Sequence, residues 1–253
     1  MAVTEFDAAI FFDNDQGYLD DAKMKCPGVT RVKVNGDAGI RNQSLIKPGP
    51  LKTLTDSLVD PYLMSSKNNT YVSLLLHLNQ DAKYDPDAGI NEADIQKYKE
   101  WASATEGNRI LLLDWDQTLT QFDGMELLDE MSKINANYLR SVFVKPRDAA
   151  IFYLGGKARF AMITEWLKDV AKSGVRIGIL TNNGGCRDSI FQQIVAEIVP
   201  KGSYEMMCAR FAPNNGDKGK ILATDPRFAR LCPKSGGKRR RQTKRRKSRK
   251  HRK

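Results

Sequence analysis

Three apolar runs of strand length, each stopped by a polar side chain, limit the fold of this chain more than any other feature. Residues 8–12 end at Asp13, residues 110–113 at Asp114, and residues 175–180 at Thr181, with a weaker fourth run at 204–208. Unbroken apolar character predicts strands covered on both faces, as in a parallel sheet. Helical stretches lie between them. Residues 158–172 set Phe160, Ile163, Trp166, Leu167 and Val170 at helical spacing and stop at Ser173 and Gly174; residues 188–199 close at Pro200. Strand–helix alternation predicts an α/β fold with a doubly wound parallel sheet.

Composition divides the chain in two. Among 253 residues, 41 Lys and Arg against 30 Asp and Glu give a net charge of +11. Residues 238–253 hold 12 of the basic side chains and no acid, leaving 29 basic and 30 acidic groups in residues 1–237, a net of −1. A hydrophobic share of 41% is enough for a buried core. No apolar run reaches the ~18 residues of a membrane helix. The best, residues 71–78, is interrupted by Ser73 and His77. Glu5 and Asp7 stand where an export signal would be basic, so no export is expected. Cys26, Cys186, Cys208 and Cys232 lie far apart without a CxxC, and there are two histidines, which argues against zinc. The expectation is a reduced, intracellular compartment, cytoplasmic or nuclear.

Residues 109–120 read RILLLDWDQTLT and carry the strongest chemical signal. A buried strand delivers Asp114 and Asp116 to the carboxyl edge of the sheet, where open α/β sheets bind ligands. There the first carboxylate can act as nucleophile and the second as general acid, then base. Carboxylates this close repel unless a cation lies between them, and Mg²⁺ suits few protein oxygens.

These residues resemble the haloacid dehalogenase-like (HAD) superfamily, mostly Mg²⁺-dependent phosphatases. Its first motif, hhhhDxDxT, matches residues 111–118; its second, an apolar strand ending in Thr or Ser, matches residues 177–181 followed by Asn182 and Asn183. The resemblance implies that Asp114 is phosphorylated and that Asp116 protonates the leaving oxygen, then activates water. Thr181 and the amide after it would hold the phosphoryl group, with Thr118, Asn182 and Asn183 as substrate contacts. The third motif, a lysine at a helix start, falls on Lys218, with Lys220 as the alternative. The fourth, a strand ending in acids that complete the Mg²⁺ shell, is missing after Lys218, where only Asp225 precedes the basic tail. The N-terminus supplies such a strand at residues 9–13, followed by Asn14 and Asp15, a helical stretch at 18–25 and an alternating strand at 29–34.

The expectation is therefore a circularly permuted, Rossmann-like HAD core, with Asp13 beside Asp114 and the metal set Asp13, Asp15, Asp114 and Asp116. The competing reading is an N-terminal strand in an inactive protein. In this division residues 1–35 are the first part of the core, 36–108 an insertion or connection with a helix at 91–104, and 109–234 the main core. Residues 119–157 form a small helical cap, and 235–253 a disordered basic tail. An open site of this kind fits a phosphorylated macromolecule, such as a phosphoprotein or a nucleic-acid end. The tail fits a polyanion, either nucleic acid or an import receptor, bound through counterion release. Basic tails and DWDxTLT chains of this sort resemble proteins of large DNA viruses, which would place the chain in a host cell or virion. The functional alternative is a catalytically silent fold acting as a nucleic-acid-binding or virion component.

Overall fold

The computed structural model describes residues 4–36, 88–121 and 146–232. In chain order the elements are β1 (Ala8–Asp13), α1 (Gln16–Lys25), β2 (Thr30–Lys33), α2 (Glu92–Ala104) and β3 (Arg109–Leu113), then α3 (Pro146–Tyr153), α4 (Lys157–Lys172), β4 (Arg176–Thr181), α5 (Ser189–Ile198), β5 (Tyr204–Cys208) and α6 (Lys218–Thr224). A short 3₁₀ turn, Pro226–Phe228, follows α6. The five strands form one sheet in the order β2-β1-β3-β4-β5, and every neighbouring pair is parallel. An α/β fold with a parallel sheet is thus what the apolar runs predict and what the chain adopts.

Strand pleating sorts the core into two layers. Ile10, Phe12, Leu111, Leu113, Ile177 and Ile179 face one way, onto apolar residues of α2, α3, α4 and α5. Ala9, Phe11, Ile110, Leu112 and Leu180 face the other, onto Leu19 and Ala22 of α1, Leu222 of α6, and Phe228. Helices therefore cover both faces. The predicted helix at 91–104 belongs to the first layer: Tyr98 meets Trp166 of α4 edge-on at 5.6 Å. Its start is fixed by Asn91, whose side chain accepts from the Asp94 amide while Asp94 reaches back to the Asn91 amide.

The register sets the site. Ala8 to Phe12 pair with Arg109 to Leu113, so the strands end level, at Asp13 and Asp114. β1 leads through α1 outward to β2, whereas β3 leads outward to β4 and β5, with α1 and α4 on opposite faces. The gap between the carboxyl ends of β1 and β3 is therefore the topological switch point, where open parallel sheets bind ligands.

The cysteines are distant in sequence but meet in the fold: Cys26 is bonded to Cys232 and Cys186 to Cys208. The fold brings them together because the Gly28 amide donates to Leu231 at 3.0 Å, and because β4 and β5 run side by side with Thr181 opposite Cys208. Most of the cap at 119–157, the insertion between 37 and 87 and the tail at 238–253 lie outside the described residues. Among those described, no helix is long and apolar enough to cross a membrane.

Candidate active site

Asp13 and Asp114 share the pleat parity of Phe11 and Leu112, so both point toward the layer that contains α6. Lys218, the first residue of α6, meets them there. Its Nζ lies 2.7 Å from Asp13 Oδ2 and 2.7 Å from Asp114 Oδ1. Both oxygens touch the one ammonium, so the two carboxylates converge on a single point. All three side chains are buried. Lys220, the alternative, instead donates to the Pro213 carbonyl at the exposed surface. Asp217 caps α6 by accepting from the Lys220 amide at 2.6 Å, which fixes where the helix begins and so where Lys218 points. Gly219 lets α6 lie against α1: a Cβ there would clash with Asp21 Oδ2.

One ammonium cannot neutralise two buried carboxylates. Burial, and then the charge of Asp114, push Asp13 up to about 7 against the pull of Lys218. Burial likewise raises Asp114. Burial works to lower Lys218, but the charges of Asp114 and Asp13 outweigh it and raise its pKa, so the ammonium stays protonated. Raised carboxylate pKa values mean that the cluster favours taking up a proton or a further cation at the switch point.

The β1 and β3 ends are tied across the gap. The Asn14 amide donates to Thr118 Oγ1 at 2.9 Å, and Asn14 Nδ2 donates to Gln117 Oε1 at 3.0 Å. Thr118 has one proton for either Asn14 Oδ1 at 3.2 Å or Asp114 Oδ2 at 3.4 Å. The chain after β3 makes a wide turn, with Leu119 N donating to Asp114 O and Thr120 N to Trp115 O. Gln117 sits in that turn at φ 56, a left-handed conformation uncommon for a residue with a side chain. The turn buries Trp115 beneath the site, 4.7 Å from Phe191, where the pleat predicts it.

β4 contributes the third corner. Thr181 is fully buried, and its Oγ1 accepts from the Asn183 amide at 3.0 Å. Asn183 Nδ2 donates to both oxygens of Asp116, at 3.0 and 3.3 Å. Asn182 Nδ2 donates to the Tyr18 hydroxyl at 2.9 Å.

The expected fourfold metal set is not assembled by its side chains. Asp15 caps α1, accepting from the Gly17 amide at 2.6 Å and the Tyr18 amide at 3.3 Å, and donates its own amide to Asp13 Oδ1 at 2.7 Å. Asp116 faces Asn183. Among the described residues, no group of three or more His, Cys, Asp or Glu side chains is set to close on one ion. What does fit Mg²⁺ is Asp13 with Asp114: the hard oxygens of two carboxylates that share a single ammonium. Mg²⁺ commonly takes one or two carboxylates and fills its shell with water and phosphate oxygens.

Sequence reasoning missed Tyr18, whose ring centre lies 4.2 Å from Lys218 Nζ. Nothing local marks it, because the contact exists only when α1 packs on α6. Comparison with family models, with curated proteins and with solved structures finds no match for this chain, so the chemistry of the site rests on its own residues.

Proposed function

We propose that the chain is a Mg²⁺-dependent phosphatase working through an aspartyl-phosphate, on an HAD-like core whose fourth-motif strand stands first in the sequence. The observation that carries this reading is the meeting of Asp13, Asp114 and Lys218. They come from three distant points of the chain to one spot between the ends of adjacent parallel strands. Circular permutation accounts for the order β2-β1-β3-β4-β5, since strands pair by position in the sheet and not by order in the chain.

In the proposed reaction an Asp114 oxygen attacks phosphorus, and the bond from phosphorus to the ester oxygen breaks. Asp116, oriented by Asn183, gives its proton to that leaving oxygen. It then takes a proton from water, whose oxygen attacks phosphorus and releases phosphate, leaving Asp114 as it began. Thr181 accepts from the Asn183 amide, which leaves its own proton to donate to a phosphoryl oxygen. Lys218 holds positive charge beside the attacking carboxylate and never leaves it. Asp13 and Asp114 would hold Mg²⁺, which supplies charge stabilisation to the transferring group.

The basic segment 238–253 suits binding to a polyanion, and an open site suits a phosphorylated macromolecule such as a phosphoprotein or a nucleic-acid end as substrate. A second reading, a silent fold that only binds nucleic acid or serves in a virion, is favoured by one observation: Lys218 already pairs with both carboxylates. Hydrolysis of p-nitrophenyl phosphate with Mg²⁺ separates the two. The phosphatase reading predicts turnover that Asp114→Asn lowers at least about a thousandfold in kcat, and that deletion of 238–253 leaves unchanged. Wild-type turnover absent, or equal in Asp114→Asn, would establish the silent fold.

A further inference from the structure

Tyr18 touches two parts of the site from a third. It lies in the first turn of α1, directly after the β1 end that carries Asp13. Its ring centre is 4.2 Å from Lys218 Nζ, and its hydroxyl accepts from Asn182 Nδ2 at 2.9 Å. An ammonium has three N–H directions. Two carboxylates take contacts at 2.7 Å, and the face of Tyr18 lies close on the remaining side, with Phe11 farther off at 6.0 Å. At the other end of the same side chain, the hydroxyl is the partner of the Asn182 amide nitrogen, while Asn182 Oδ1 is buried with none. A side chain with one satisfied end and one unsatisfied end is oriented only by the bond it makes.

We propose that Tyr18 is a positioning residue of this site. Its ring holds the Lys218 ammonium between Asp13 and Asp114, and its hydroxyl fixes Asn182 beside Thr181. The effect on catalysis rests on the phosphatase reading; the placement of Lys218 and Asn182 does not. The ring works by electrostatic attraction between its negative face and a desolvated cation, which aliphatic side chains lack. The hydroxyl works by one hydrogen bond, which phenylalanine lacks. The two roles are therefore separable by substitution.

Tyr18→Phe keeps the ring and loses the bond. It is expected to leave kcat for p-nitrophenyl phosphate within about twofold and raise KM roughly threefold to tenfold, the worth of one hydrogen bond. Tyr18→Leu loses both and is expected to lower kcat about tenfold as well. The double variant Tyr18→Phe/Asn182→Ala should match Asn182→Ala alone, because the hydroxyl acts only through that amide. A readout independent of turnover is the Lys218 ammonium resonance in ¹⁵N-lysine-labelled protein, assigned by its loss in Lys218→Met. Ring current should shift it in wild type and in Tyr18→Phe. In Tyr18→Leu it should move by the loss of the Tyr18 ring current; if Tyr18→Leu does not fold, Tyr18→Met takes its place. An unmoved resonance without the ring, or additive effects of Tyr18→Phe and Asn182→Ala on KM, would overturn the proposal. If wild type shows no Asp114-dependent turnover, the phosphatase reading fails, and the resonance alone decides the placement of Lys218.

Discussion

Lys218 stands between Asp13 and Asp114 with almost no access to water, and its removal leaves two carboxylates facing each other in a low-dielectric interior. Breaking a buried ion pair from one side is costly because the remaining charge stays desolvated. Lys218→Met, similar in volume, is therefore expected to lower unfolding stability by about 3 kcal/mol or more in urea titrations at neutral pH. A second charged group predicts acid behaviour. Asp225 is half-buried, which by itself raises its pKa, but hydrogen bonds from the Arg227 side chain and amide win and hold it below the ordinary carboxylate value. Arg227 also grips Glu205 at 2.7 and 2.8 Å. A lowered folded-state pKa means stability present above the unfolded value of about 3.9 and lost as pH falls through the folded one. Wild type should thus be more stable than Asp225→Asn at pH 6, and the gap should close in acid below about 3.9. Urea midpoints across that range check it. Asp13 and Asp114 were legible as site residues because each ends an apolar run. Tyr18 was not, since its role depends on which helix it packs against.

At the scale of elements, Arg159 of α4 ties together segments that are remote in sequence. Its guanidinium donates to the carbonyls of Leu119, Leu154, Ile90 and Thr118, at 2.8 to 3.4 Å, and the side chain is fully buried. It thereby holds the turn after β3, which positions Thr118, against the start of α4 and the approach to α2. Of these carbonyls, Thr118 O also accepts from the Ile90 amide at 2.8 Å, so the guanidinium and this backbone bond tie the same two segments. Arg159→Met should destabilise by about 3 kcal/mol or more, read from the urea midpoint. Arg159→Lys should not restore it, because one ammonium cannot reproduce a planar fork. In the sequence Arg159 is one more polar position on an amphipathic helix, and only the tertiary fold gives it carbonyls to bind. By contrast α2 and α4 were legible almost to the residue, α4 from its apolar spacing and glycine stop. The turn at Gln117 was not. Its left-handed conformation carries no glycine to announce it.

For the whole molecule, the order of strands matters more than their number. Because β1 lies between β2 and β3, the N-terminal acid and the central one end level at the switch point, and α6 from the far end of the described chain closes on both. The adjacency of β1 and β3 was expected from the resemblance of residues 9–15 to the fourth HAD motif, and the two strands do pair. The pairing of the four cysteines was not, because it depends on which termini and loops the fold brings together. A basic tail and a nearly neutral body divide the proposed work into location and chemistry. The chemistry has one direct test, the covalent intermediate. The protein is incubated with p-nitrophenyl phosphate and Mg²⁺, quenched in acid, digested and mapped by mass spectrometry. The aryl leaving group needs little protonation, so Asp116→Asn should still be phosphorylated while losing the base that activates water. A phosphoryl adduct on Asp114 is expected, enriched in Asp116→Asn and absent from Asp114→Asn. Turnover without any adduct on Asp114, or an adduct on another residue, would contradict it.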